Sequence, residues 1–292
     1  MRLGEQQLRQ TEAALSGELG PELMELMRAL SLRAASTFPV GPRARTLAAE
    51  LGWVDAAEQL RLTVLGATIA DSLREYLWWL ERGRELPKMR AAASLHPDRL
   101  AGRRVLEIGC GFGCNLLSLQ ASGVDAFGID REPLYLQLSP LLAGLANVPP
   151  PRVACAAAEQ LPVASSSVDA VLSHSSIQYM NIPRVLAEIA RVLRPDGIAL
   201  VVTAHFLGYA RSVLTRRGIV TAPRALARQL LILGGIAVSP WFGRALLRPG
   251  DPLHPTPARM RDLMWQSGLV LEDTAAVRVG RDVVYVAHRA SS

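Results

Sequence analysis

Lysine is almost missing from this chain of 292 residues. Lys88 is the only one, and the rest of a formal surplus of six positive charges is arginine. A basic balance built this way is explained more simply by coding composition than by a nucleic-acid footprint. Its distribution agrees: residues 1–100 carry 13 acids and 13 bases, and residues 101–200 carry 8 and 7. Cysteine is also scarce. Cys110, Cys114 and Cys155 give neither a disulfide framework nor zinc spacing. No apolar run reaches the ~20 residues of a spanning helix. The segment Met1-Arg-Leu-Gly-Glu-Gln-Gln7 lacks a signal-peptide core, so a cytoplasmic, soluble protein is expected. There is no internal repeat and no low-complexity tract. Ser173-His-Ser175 is not a nucleophile elbow, since G-x-S-x-G is absent. No turn gathers enough acids to hold a metal, and none is expected.

What is present is sharpest between Val105 and Leu119, V-L-E-I-G-C-G-F-G-C-N-L-L-S-L. A short apolar run ends near an acid, three glycines follow at alternate positions, and an apolar-periodic helix begins. Glycines at 109, 111 and 113 let the backbone turn sharply and approach a ligand where a Cβ would collide. The dinucleotide fingerprint G-x-G-x-x-G differs, because here the third glycine comes one residue early. The acid Glu107 also stands two residues before the first glycine, where it would repel a pyrophosphate and favour a cationic group. Asp125-Ala-Phe-Gly-Ile-Asp130 reads as a second strand ending in an acid suited to two ribose hydroxyls. Val168–Ser173 reads as a buried strand. Glu188–Gly197 ends a helix in Pro-Asp-Gly and feeds a strand from Ile198 to Thr203.

In this combination the chain resembles the class I S-adenosylmethionine-dependent methyltransferases, especially the branch acting on small molecules such as quinone precursors. The likeness covers residues 100–204 well and 256–288 loosely. It implies S-adenosyl-L-methionine as cofactor, with Glu107, Gly109, Gly111 and Gly113 around its methionine part. Asp130, with Arg131 beside it, falls at the ribose, and Ser173 at the end of the fourth strand. Ala157-Ala-Glu-Gln-Leu-Pro162 matches the family's D-A-E-x-L-P, whose first acid usually meets the adenine. Here that position is Ala157, which leaves the backbone near Ala158, or Glu159, to read the base.

The pattern predicts an α/β fold: a doubly wound, mostly parallel seven-stranded sheet, with an all-helical N-terminal region and a helical insertion after the fifth strand. Residues 1–100 show helical periodicity, with Leu19, Leu23, Leu26, Met27 and Leu30 on one face, a second run from Val54 to Arg84, and no evident strand. Tyr76, Trp78 and Trp79 form an aromatic cluster there, suited to core packing or to a substrate wall. The methyltransferase core spans 101–204 and 256–292. Expected strands are 103–108, 125–130, 152–156, 168–173 and 198–203, with helices at 113–122, 132–146 and 182–194. Thr256 and Pro257 open a helix to Gln266, stopped by Gly268. Leu269–Thr274 and Val277–His288 then close the sheet as an antiparallel pair.

Residues 205–255 form an arginine-rich apolar insertion, with seven arginines and no acid from His205 to Gly250. Its stretch from Ala227 to Trp241 is too short to span a bilayer. It suits a helical lid, a lining for an apolar acceptor, or a transient contact with an anionic membrane surface through 227–243. A peripheral membrane location is therefore an alternative to a purely cytoplasmic one. For an oxygen acceptor, slightly favoured over nitrogen or carbon, the turn Ser173–Tyr179 offers His174 as general base and Tyr179 to orient the acceptor. His205 is the second candidate base. Two other functions stand beside this one. An RNA methyltransferase would use the arginines on phosphates, but they have little aromatic interleaving beyond Tyr209, Trp241 and Phe242. An inactive scaffold subunit is suggested by Ala157. Nucleic acid is not expected as a partner, and homo-oligomerisation stays open.

Overall fold

The computed structural model describes residues 1–32, 41–55, 60–86, 100–204, 253–272, 277–279 and 282–290. The insertion stretch 227–243, His205 and the linker around Pro97 lie outside the described residues. The N-terminal region holds α1 (Glu5–Ser16), α2 (Gly20–Ser31), α3 (Pro42–Glu50) and α4 (Val64–Glu81). Between the last two runs a short antiparallel ladder, β1 (Val54–Asp55) with β2 (Arg61–Leu62). The all-helical reading therefore needs one correction. The run from Val54 becomes helical only at Val64, and a ladder of two residues per strand is too short to leave an alternation in the sequence. Thr63 starts α4, its hydroxyl accepting the Gly66 N–H at 2.9 Å.

The main sheet region begins with β3 (Arg104–Ile108), α5 (Cys114–Ala121), β4 (Asp125–Asp130), α6 (Pro133–Leu145) and β5 (Val153–Cys155). It continues with β6 (Val168–His174), a 3-10 turn (Ile177–Tyr179), α7 (Ile182–Val192), β7 (Leu193–Ala204), α8 (Pro257–Gln266), β8 (Leu269–Leu271), β9 (Val277–Val279) and β10 (Asp282–Arg289). Seven strands follow the hydrogen-bonded order β5-β4-β3-β6-β7-β10-β8, with β9 paired to β10. β3 runs parallel to β4 and β6, and β6 parallel to β7, while β10 is antiparallel to β7 and β8. This is the doubly wound sheet expected from the sequence. Its last stretch divides into a β9–β10 hairpin rather than one strand from Val277, because Val277–Val279 folds back on Asp282–Val284.

Pro195-Asp-Gly197 forms a bulge. Val168 pairs with Leu193, and pairing resumes only at Ala170 with Ile198. Asp196 there sits at φ 63°, a left-handed position that Asp tolerates.

By internal contacts the described chain separates into two compact bodies that do not follow chain order. The first comprises Met1–Pro87, Cys110–Ala121 and Asp130–Cys155, and the second Lys88–Gly109, Ser122–Ile129 and Ala156–Ser292. In the first body Leu23, Leu26, Met27, Ile69 and Leu73 share one core with Phe112, Leu117, Leu134, Leu138 and Leu142. The helices of the N-terminal region thus bury the apolar faces of α5 and α6. In the second body Leu106, Ile108, Val171, Leu186, Ile189 and Tyr285 form the other core. α7 shows why: Ile182, Val185, Leu186, Ile189 and Val192 recur at helical spacing and all are buried, each contributing roughly 2 kcal/mol of apolar burial.

Candidate functional site

In the second body, the order of the sheet reverses between β3 and β6. Ligands of open α/β sheets bind beyond the carboxyl ends of the strands at such a point. Glu107 stands next to last in β3, and its side chain is 1% exposed. Gly109 follows at φ 67°, its N–H donated to the Ile129 carbonyl at 2.9 Å. A Cβ at this glycine would come within 2.4 Å of the Ser176 Cβ and 2.9 Å of the Met180 methyl carbon. Glycine is therefore required by packing as well as by backbone.

Ser176 belongs to the turn after β6. Its hydroxyl donates to the Ile108 carbonyl at 2.8 Å and lies 3.0 Å from the hydroxyl of the fully buried Ser173. Ser173 is thus brought to the glycine turn through Ser176, a contact between distant residues that no local spacing announces. Between them Ser175 adopts φ 54°, unusual for a non-glycine residue, and its N–H bonds the Val202 carbonyl at 2.8 Å. Gln178, 5% exposed, holds this kink by donating its amide to the Ser175 carbonyl at 2.7 Å.

His174, the last residue of β6, is half-buried, and Tyr179 is 48% exposed. One further histidine approaches this turn, which sequence spacing did not single out. His254 is buried and follows Leu253, whose N–H bonds the Gln178 carbonyl at 2.6 Å. Burial pushes its imidazole down to about 4, so it is neutral at pH 7 and a weak base.

Glu159 reaches the start of α7. Its carboxylate accepts the Asn181 N–H at 2.9 Å. Ala158 is buried in the core of this body, and Ala157 is exposed.

In the first body, Gly111 and Gly113 have φ of 56° and 94°. A Cβ at Gly113 would lie 2.7 Å from the Pro151 ring, whereas one at Gly111 would meet nothing within 4 Å. The space over Gly111 is open, so the backbone can be approached there with no side chain in the way. Asp130 Oδ2 accepts the Gly111 N–H at 3.0 Å, and Oδ1 accepts the Glu132 N–H at 2.9 Å. The carboxylate thereby ties the glycine turn to the start of α6. Burial pushes Asp130 above its ordinary value, with these N–H bonds opposing the rise. A carboxylate offers about four acceptor positions, so room remains for hydroxyls of a ligand. Arg131 is exposed. Cys110 and Cys114 are buried, and Cys155 is exposed.

Taken singly, these features fit the cofactor that the sequence resemblance implies: a buried acid suits an ammonium group, a glycine cradle a close backbone approach, and a second acid ribose hydroxyls. Among the described residues no group of three or more His, Cys, Asp or Glu could hold a metal. No described helix is long and apolar enough to cross a membrane.

Comparison with known proteins agrees. A family model described as a methyltransferase domain matches residues 106–201. Over 123 residues the chain is 37% identical to a malonyl-(acyl-carrier protein) O-methyltransferase of Laribacter hongkongensis, covering 39% of this chain and 41% of that protein. Over 101 residues it is 35% identical to a phthiotriol/phenolphthiotriol dimycocerosates methyltransferase of Mycobacterium leprae, covering 34% and 36%. The match therefore spans less than half the length of these curated relatives. Among solved structures, a possible histamine N-methyltransferase of Thermotoga maritima aligns with a TM-score of 0.48 at 18% identity, over 76% of this chain and 98% of that one.

Proposed function

We propose that this chain, whose residues 106–201 match a methyltransferase domain model, moves a methyl group from S-adenosylmethionine to a small, apolar acceptor. The observation that carries the reading is the run of left-handed glycines at 109, 111 and 113 that follows β3 in the chain, with the buried Glu107 two residues before it. The cofactor, when bound, supplies a methyl carbon made electrophilic by its sulfonium. Glu107 would hold the cofactor's ammonium group, the backbone of Gly109 and Gly111 would allow close approach, and the remaining lone pairs of Asp130 would take the ribose hydroxyls. Displacement at carbon needs nucleophile, carbon and sulfur in line, so the protein's main contribution is orientation in a dry pocket.

An oxygen acceptor, slightly favoured over nitrogen or carbon, must lose a proton. His174 at the tip of β6 is the first candidate to receive it, His205 the second, and Tyr179 would orient the acceptor. The Laribacter relative is named an O-methyltransferase, which supports oxygen. Turnover unchanged in His174→Ala would remove the base assignment. Residues 227–243 would add an apolar lining or a membrane-surface contact. Liposome co-sedimentation that is equal with and without them would remove the latter.

A second reading, an inactive scaffold, draws on Ala157, which stands where the resembling family carries its adenine-contacting acid. Calorimetry with S-adenosylhomocysteine separates the two. Micromolar binding supports the enzyme, and no binding at saturating ligand supports the scaffold. Labelled S-adenosylmethionine with cell extract then identifies the acceptor by the fraction that gains a methyl group.

A further inference from the structure

One face of α4 reaches three elements around the donor side of the first body. Asp71 accepts the Tyr135 hydroxyl at 3.1 Å, and Tyr135 lies in the first turn of α6. Tyr76 packs edge-on against Phe112, the residue between Gly111 and Gly113, with ring centroids 6.3 Å apart. Trp79 donates its indole N–H to the Ser118 hydroxyl on α5 at 2.9 Å.

The start of α6 is also where Asp130 acts. Its carboxylate bonds the Glu132 N–H on one side and the Gly111 N–H on the other, while Glu132 caps the helix by accepting the Leu134 N–H at 3.3 Å. The first turn of α6 is thus pinned from two directions, by Asp130 through the backbone and by Asp71 through the Tyr135 phenol. Phe112 is 2% exposed, so the middle of the glycine turn is itself seated in the core that α4 helps build. Burial, with the charges of Asp71 and Asp130, keeps the phenol protonated and hence a donor.

We infer that α4 positions the donor loop, Asp71 acting through Tyr135 on the Asp130 carboxylate and Tyr76 acting through Phe112 on the glycine turn. These are positioning residues; none is assigned a contact with the cofactor. The inference deepens the methyltransferase reading and rests on it for the identity of the ligand, but not for the coupling itself.

Two measurements on the full chain test it. In ligand-free protein, amide exchange at Gly111 is expected to speed up about tenfold in Tyr135→Phe and in Asp71→Ala, the effect of losing one ordering hydrogen bond. The double variant should be no faster than Asp71→Ala alone, because that variant already lacks the bond Tyr135→Phe removes, while also losing the Asp71–Arg74 ion pair. Titration with S-adenosylhomocysteine should show the same pattern as a Kd weakened about tenfold. Thr63→Ala removes the cap of α4 and should lower Tm while leaving both the exchange and the Kd unchanged. Additive effects in the double variant, unchanged exchange in the single ones, or an equal effect of Thr63→Ala would overturn the inference. A wild-type chain that fails to bind S-adenosylhomocysteine defeats the proposed function instead, and the exchange measurement still decides the coupling.

Discussion

Gly109 and Gly111 share a left-handed backbone, at φ 67° and 56°, yet an added methyl group meets different surroundings at each. In Gly109→Ala the new Cβ runs into Ser176 at 2.4 Å. Overpacking adds about 1–3 kcal/mol to a left-handed cost of about 1–2, so both Tm and cofactor affinity should fall. In Gly111→Ala only the backbone cost of about 1–2 kcal/mol applies, and the methyl enters the open cradle. Thermal melts should show a small loss, while calorimetry with S-adenosylhomocysteine should show an affinity lower by at least about tenfold, or about 1.4 kcal/mol. Undiminished binding by Gly111→Ala would mean that the cradle is not the donor site. The left-handed backbone of the glycine run and the places of Glu107 and Asp130 at the ends of β3 and β4 were legible because turn chemistry is local. The bonds of Ser176 and Gln178 to Ile108 and Thr203 were not, since those partners come from other strands. Nor does spacing reveal that Glu159 turns to the Asn181 N–H.

At the scale of elements, α7 and the loop before β6 are joined by one ion pair. Arg191 holds Glu188 at 2.7 Å and donates to the Val163 and Leu161 carbonyls at 2.8 and 3.1 Å, while Glu188 accepts the Leu161 N–H at 2.6 Å. The guanidinium keeps the Glu188 carboxyl below its ordinary value of 4.5. The unfolded chain therefore protonates this group first on acidification. Its contribution is complete at neutral pH and is lost as pH falls through the lowered folded value. Arg191→Met should cost about 1–2 kcal/mol at pH 7. The Tm gap to the wild type should narrow as the buffer is taken below about 4.5, leaving the part due to the bonds to the Val163 and Leu161 carbonyls; a gap that does not change with pH would show that the ion pair contributes nothing to it.

Strong local punctuation made several elements readable. β4 was bounded by Gly123 and by Pro133, and α8 by Thr256 with Pro257 and by Gly268 at φ 78°. The β1–β2 ladder and the break before β10 were hidden, because two- and three-residue strands carry too little alternation to register.

At the scale of the whole molecule, the core shared by α1–α4 with α5 and α6 makes the N-terminal region part of the first body. A chain beginning at residue 100 would leave Phe112, Leu117, Leu134, Leu138 and Leu142 uncovered. At about 1.5–3 kcal/mol for each of these five apolar side chains, that loss is of the same size as the roughly 5–15 kcal/mol by which a domain is stable. Such a chain should melt without a cooperative transition and bind a hydrophobic dye; a sharp melt with intact binding of S-adenosylhomocysteine would contradict this. Hydropathy along the chain could not disclose the sharing, since each helix shows only that it has an apolar face, not which partner covers it. The same interleaving bears on biosynthesis. The helices holding Leu23, Met27, Leu73 and Trp79 leave the ribosome before their partners, which are encoded only between residues 110 and 155. Until that stretch is translated, a nascent chain presents half of an interface, so elongation speed there sets how long chaperones must shield it from self-association.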